Sequence, residues 1–409
     1  MNKRFYLIIA VFILALAAMA CAIPGGNGGE QPEPTDDQVA TLVASTLQAL
    51  TPVPETESTP VPAGTAELLP HAFYYLGTDN AGLTQVFRIE KDGKTQKQIT
   101  SEPVKVDSYD VSPVDGSVAY VVNNQIIWVD ADGSGRKLLV DGGAVDQNNA
   151  FLNNISSPVF SPNGKTLAYG HKGLNFYAMD TGVSNRVLEN LIDDFGNGLF
   201  VPRELYWPEK YSPDGSKLLI TLGYYEGASA GVYYPAGNAL VRLTGGEGAL
   251  ICCDQTEWSA DGSSFYSANR AVGMFNSGLW KVDAATGAVT TLFTSDYDTS
   301  TFNYADSPYL APDGQLYYFF LNTNAELNTR TPLQLVRSAP DGITGRTVLR
   351  TDTFELMNEV LWAPDASFVI VAFAPIQDVY FGGQAEVVYL DGSSNVVLTT
   401  YAQSIKWGP

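Results

Sequence analysis

Histidine is nearly absent. The 409 residues hold two, His71 and His171, with three cysteines and five methionines. Two histidines without a cysteine at ligand spacing are too few for a histidine metal cluster, so no metal and no cofactor is expected. Basic residues are also scarce, 23 Lys and Arg against 44 Asp and Glu, for a formal charge of −21. A chain this acidic does not neutralise phosphates, which argues against a nucleic-acid partner and against adhesion to anionic headgroups through surface charge. The apolar run at 5–18 is short for a transmembrane helix. Preceded by Lys3 and Arg4 and followed by small residues up to Cys21, it reads as an export signal.

Glycine, proline and aromatics are plentiful: 38 Gly, 23 Pro and 11% Phe, Trp and Tyr. That composition suits many short strands joined by tight turns. After Cys21 comes a Gly-rich linker, then a short amphipathic segment at 38–50, expected to be helical, and a Thr/Pro-rich stalk at 51–66. The expected division is 1–20 signal, 21–70 linker and 71–409 folded head.

Within the head one stretch recurs. Ser212-Pro213-Asp214-Gly215 is followed by an apolar run, and Ser161-Pro162-Asn163-Gly164, Ser259-Ala260-Asp261-Gly262, Ala311-Pro312-Asp313-Gly314 and Ala363-Pro364-Asp365-Ala366 repeat the pattern. Ser112-Pro113-Val114-Asp115-Gly116 carries one inserted residue. Successive turns lie 49, 51, 47, 52 and 52 residues apart. A period near fifty marks a repeat architecture. Pro sets φ, Asp bonds its own backbone and Gly accepts positive φ, so each copy reads as a hairpin between two strands. The unit is a four-stranded antiparallel sheet, A to D, with this turn joining A to B. The first unit has no A strand, whereas 403–407 is an A strand with no unit to follow it. Pairing the two closes a ring and removes open edges. The expected fold is all-β, a seven-bladed β-propeller, with six blades as the alternative.

These repeats resemble those of the TolB family, whose blades carry Trp-Ser-Pro-Asp-Gly-Lys before an apolar strand and an Asp-Gly turn. The resemblance covers 71–409 and implies an envelope protein-interaction module. Leu16-Ala17-Ala18-Met19-Ala20-Cys21 similarly resembles a bacterial lipoprotein signal, which implies acylation of Cys21 and a tether to the cell or outer membrane.

Six positions before each turn, where strand A begins, stand Asp107, Ser156, Trp207, Asp254, Asp306, Asn358 and Gln403. A propeller gathers these around one axis, so the acceptors Asp107, Asp254, Asp306, Asn358 and Gln403 are the expected ligand-binding mouth, for a cation, an amine or a basic peptide segment. Cys252 and Cys253 can form a vicinal disulfide in an exported protein. Gly227-Ala228-Ser229-Ala230-Gly231 matches a nucleophile-elbow pattern, but both histidines lie upstream and no helix follows, so it is read as a loose loop between strands B and C. No catalytic residue is assigned. The expected function is a monomeric, lipid-anchored extracytoplasmic module that binds a protein or peptide. A propeller enzyme working through mouth carboxylates, as in quinone-dependent dehydrogenases or hydrolases, and a structural envelope component are the alternatives.

Overall fold

The computed structural model describes residues 67–252, 256–270, 275–327 and 330–409. The signal, Cys21, the 38–50 segment, the stalk, Cys253 and Asp254 lie outside them. Among the described residues there is no α-helix, only strands and the short 3₁₀ turns Ala150–Leu152 and Pro235–Gly237. All strand pairs are antiparallel between chain neighbours, apart from the pair that joins Phe73–Thr78 to Val396–Trp407.

The strands form four-stranded sheets. Sheet 2 is Ser108–Val111, Val118–Val122, Gln125–Val129 and Lys137–Asp141. Sheet 3 runs from Ser156–Phe160 to Ser184–Glu189, sheet 5 from Thr256–Trp258 to Val289–Thr294 and sheet 6 from Phe302–Leu310 to Thr347–Val348. Sheet 4 opens with the long strand Phe200–Tyr211 and gains a fifth strand, Leu191–Asp194, where the connection from sheet 3 folds back as a hairpin. Strand Val396–Trp407 serves two sheets. Its first half pairs with Gly383–Tyr389 as strand D of sheet 7, through Gly383↔Ala402 and Ala385↔Thr399. Its second half pairs with Phe73–Thr78 as strand A of sheet 1, through Phe73↔Trp407 and Leu76↔Gln403. The closing strand is therefore one continuous strand, where the sequence suggested a separate one. Ser404 sits at φ 53° where the strand changes partner.

Seven clusters of buried apolar side chains lie between successive sheets. Tyr74 and Tyr120 join sheets 1 and 2, Tyr169 and Ile126 sheets 2 and 3, Leu174 and Tyr233 sheets 3 and 4. Val232 and Trp280 join sheets 4 and 5, Tyr266 and Tyr318 sheets 5 and 6, Phe319 and Trp362 sheets 6 and 7. Phe73 and Ile370 bring sheet 7 back to sheet 1. Each sheet thus buries both faces against its neighbours, which explains strands such as Val118–Val122 that are buried at every position. The large apolar residues two before each turn, Val111, Phe160, Tyr211, Trp258, Leu310, Trp362 and Trp407, belong to this packing. The indole N–H groups of Trp258, Trp362 and Trp407 donate to the carbonyls of Lys210, Ser307 and Trp362 in the preceding sheet, at 3.3, 2.9 and 2.8 Å. Polar stitches reinforce the inner strands: Asp110 accepts from Lys406 Nζ at 2.8 Å and from the Phe160 amide at 2.6 Å. Packing also begins earlier than the expected boundary at His71. Leu69 is buried, and the amides of Leu68 and Leu69 donate to the Lys91 carbonyl at 2.8 and 2.9 Å.

The repeated turn closes as its residues dictate. The Gly215 amide donates to the Ser212 carbonyl, and Asp214 Oδ1 accepts from the Ser216 amide and the Ser212 hydroxyl. The Ser212 hydroxyl first, then the Ser216 hydroxyl and amide, hold the Asp214 carboxyl well below the usual range. Asp261 is lowered from 3.8 to about 2 by the Ser259 hydroxyl, then by the Ser263 amide and hydroxyl. A carboxyl whose folded pKa is depressed adds stability that is complete above its ordinary value and lost as pH falls through the folded one. Melting temperature is therefore expected to fall between about pH 4 and pH 2 as these turns protonate. Asn163 makes the same bonds, accepting from the Lys165 amide at 3.0 Å and the Ser161 hydroxyl at 2.8 Å. Asp261→Asn is thus expected to melt as the wild type does at neutral pH and to flatten part of the acid slope. Melts recorded at half-unit pH steps check this, and an unchanged slope in the variant would refute it.

Candidate functional site

The antiparallel order gives the ring two chemically distinct ends. A–B and C–D turns lie at the lower end, B–C and D–A connections at the upper one. Every exposed aromatic side chain among the described residues is on the upper side: Phe195, Tyr224, Tyr225, Tyr297, Tyr380, Phe381 and Tyr401, between 38% and 72% accessible. The exposed large side chains of the lower turns, Val114, Val183 and Ile343, are aliphatic.

The strand-A starts also lie at the upper end, and several already have partners. Asp107 is half exposed and ion-paired with Lys105 at 3.0 Å. Asp306 pairs with Arg270 Nε at 3.2 Å and accepts from the Ser307 hydroxyl at 2.9 Å. Asn358 accepts from Arg330 Nη1 at 2.9 Å and donates to the carbonyls of Val379 and Gly382 at 3.2 and 2.6 Å. Gln403 accepts from the Tyr401 hydroxyl at 3.1 Å. Trp207 covers Gly223, where a Cβ would meet its ring. Ser156 Oγ is buried without a partner, as is His171 Nε2 at the B–C turn of the same sheet. Burial first, then the charges of Lys172 and Arg186, lower the His171 pKa and favour its neutral form.

Arg270 and Arg330 escaped the sequence reading. They come from B–C connections of sheets 5 and 6, whose lengths differ, so no alignment on the turn brings them into register. A separate pairing, between sheets 1 and 2, joins Glu102 to Arg136 at 2.7 Å and to the Tyr120 hydroxyl at 2.6 Å. Burial raises the Glu102 pKa, but the bonds from Arg136 and Tyr120 outweigh it and hold the carboxyl below its usual range.

Among the described residues no three His, Cys, Asp or Glu side chains gather as metal ligands. Cys252 is buried and disulfide-bonded. The Gly227–Gly231 reading needs correction: these residues open strand Gly227–Tyr234 and pair with the strand before, Ser229 opposite Leu222. Nothing there is a loop, because only Tyr225 and Glu226 separate the two strands and strand C starts at once. At the lower end a pocket of about 570 Å³ separates sheets 3 and 4, lined by Asn163, Phe176, Val187 and Tyr211 among others.

A prolyl endopeptidase structure is similar to this chain at 14% identity and a TM-score of 0.52, over 83% of this chain and 49% of that one. The chain has a β-propeller fold. It spans about half the length of that enzyme. TolB structures also match, from Agrobacterium tumefaciens at 16% identity over 75% of this chain and 99% of that one, TM-score 0.40. TolB from Acinetobacter baumannii matches at 15% over 80% and 79%, again with a TM-score of 0.40. No family model matches the propeller, and no curated protein does. Among its described residues no helix is long and apolar enough to cross a membrane.

Proposed function

We propose that this chain is a lipid-anchored extracytoplasmic binding protein. Acylated Cys21 and the Thr/Pro stalk hold a monomeric, seven-bladed propeller away from a bacterial membrane, and its upper face takes a protein or peptide. The confinement of exposed aromatics to that face carries the reading. Tyr and Phe are enriched where proteins meet, since they bury much area at a small entropic cost. In this reading Asp107, Asp306, Asn358 and Gln403, with Asp254 proposed beside them, form the mouth of this face, and Cys253 is the proposed partner of Cys252.

The test is cross-linking on intact cells with the full-length protein. Replacing Phe195, Tyr225, Tyr297 and Phe381 together by Ser is expected to reduce cross-linked partner at least about ten-fold, the loss of roughly 1.4 kcal/mol in binding. Replacing Val114, Val183 and Ile343 by Ser is expected to leave it unchanged. Equal recovery from both variants would refute the upper-face assignment. For the anchor, mass spectrometry of the mature N-terminus is expected to find diacylglycerol on Cys21, and an unmodified residue there would refute it.

A further inference from the structure

The upper face is acidic in its loops, yet one sector of its mouth is built around two arginines. Arg270 Nη2 and Arg330 Nη1 both donate to the Met357 carbonyl, at 2.5 and 2.9 Å, so the two guanidinium groups stand side by side. Among the described residues Asp306 is their one carboxylate partner, and it bonds Arg270. The remaining acceptors of Arg330 are all neutral: Asn358 Oδ1 and the carbonyls of Gln377 and Val379. Arg330 is 8% accessible, and the Tyr380 ring lies over its guanidinium at 4.9 Å. Arg270 is about one-fifth exposed along its side chain, and its Nη1 is buried with no acceptor. Among the described residues two guanidinium charges share one carboxylate, and one donor is left unused.

A buried cation without a counter-charge is costly, and the cost falls when an anion arrives. Burial, and then the neighbouring Arg270 charge, lower the Arg330 pKa, consistent with a site that is over-supplied with positive charge. Arg330, with its crown of carbonyls, holds the blade 7 loop in place. Arg270 is the more exposed member and the one with an unpaired donor. Just above stand Tyr380 and Phe381, 63% and 72% accessible.

We infer that Arg270 anchors one carboxylate of the bound segment, with Tyr380 and Phe381 packing against the apolar group beside it. The Nη1 group of Arg270, buried with no acceptor, can give an incoming carboxylate a charge-assisted hydrogen bond. The flanking upper loops carry exposed Asp296, Asp298, Glu326 and Asp378. These repel a run of acids, so the ligand chemistry is a single carboxylate on an otherwise neutral segment, at a chain end or on a side chain. The inference rests on the upper face being the binding face.

The probes are N-acetylphenylalanine, its amide, and N-acetylaspartate α-amide, titrated calorimetrically into the full-length protein in detergent. N-acetylphenylalanine is expected to bind with a Kd of about 1 mM, at least about ten-fold tighter than its amide. Tighter binding of N-acetylphenylalanine than of the aspartate probe assigns the carboxylate to a chain end, and the reverse order to a side chain. Arg270→Gln paired with Asp306→Asn, which removes both charges together, is expected to abolish the preference for carboxylate over amide while leaving the melting temperature near wild type. Arg270→Lys, which keeps charge but not the fork, is expected to retain only part of it. Equal binding of acid and amide, no binding of either, or a preference that survives in the double variant would overturn the inference. Cellular cross-linking reads the upper-face assignment separately. A surviving carboxylate preference with no upper-face partner refutes the assignment alone, and a partner without the preference refutes the anchor alone.

Discussion

Truncation after Ala402 is expected to abolish the sharp thermal transition of the propeller. Residues 403–409 contribute few residues and many junctions. Besides pairing with Phe73–Thr78, they bond to the two flanking sheets, 7 and 2. The Trp407 indole donates to the Trp362 carbonyl at 2.8 Å, and its ring lies 6.3 Å from both Phe73 and Phe368. The Ile405 amide donates to Glu359 Oε2 at 2.9 Å, Lys406 Nζ bonds Asp110 at 2.8 Å, and the Tyr109 hydroxyl donates to the Ser404 carbonyl at 2.7 Å. The Gly408 amide closes on the Ala72 carbonyl at 2.8 Å. Loss of one large buried aromatic alone costs about 3–5 kcal/mol, against a total stability of roughly 5–15 kcal/mol. Truncation adds an unpaired edge on Phe73–Thr78 and removes one donor each from the Asp110 and Glu359 carboxylates. Scanning calorimetry and near-ultraviolet dichroism check this. A cooperative melt within a few degrees of wild type would mean that the ring does not depend on its closing strand. Trp407→Ala, milder, is expected to cost about 3 kcal/mol because the ring is only partly buried.

That closure was legible before any coordinates, and the reason is physical. A hairpin turn demands particular backbone angles, so Pro, Asp and Gly recur wherever strand A meets strand B, and counting them counts sheets. Large apolar residues recur two positions before the turn for a related reason, since every sheet must fill the same wedge beside its neighbour. Ala366 shows how firmly the geometry is imposed: it adopts φ 55° where the other copies have glycine. Connections at the other end obey no such rule. Their lengths follow whatever they contact, so Arg270, Arg330 and the exposed aromatics carry no periodic signal. At the strand-A starts, composition could not reveal that arginines from elsewhere bond Asp306 and Asn358. Gly227-Ala228-Ser229-Ala230-Gly231 misled in the opposite way. Small residues suggested a loop, whereas they let strand C lie close under Leu222 and Leu240, whose side chains a Cβ at Gly231 would meet.

Gly383→Ala is expected to lower stability by about 3 kcal/mol, the upper end of the cost of a strained backbone position, because strain and collision act together there. Gly383 begins strand C of sheet 7 at φ 151°, a region essentially reserved for glycine, and a Cβ would run into the Phe373 carbonyl oxygen across the hairpin. The backbone cannot withdraw, because Gly383 pairs with Ala402 on one side while Ala374 donates its amide to the Leu356 carbonyl at 2.7 Å on the other. Two controls separate the terms. Gly392 has φ 84° and open space around it, so Gly392→Ala carries strain alone, about 1–2 kcal/mol. Gly227 has neither, and Gly227→Ala is expected to stay within about 0.5 kcal/mol. Chemical denaturation of the three variants gives the order, and a Gly383→Ala loss no larger than that of Gly392→Ala would show that the hairpin yields. The effect reaches the mouth. The preceding residue, Gly382, offers its carbonyl to Asn358, and the loop that ends there presents Tyr380 over Arg330. A shift of this strand start would loosen the contacts that hold the arginine pair, so a Gly383→Ala protein that still folds is expected to lose part of its preference for a carboxylate over an amide.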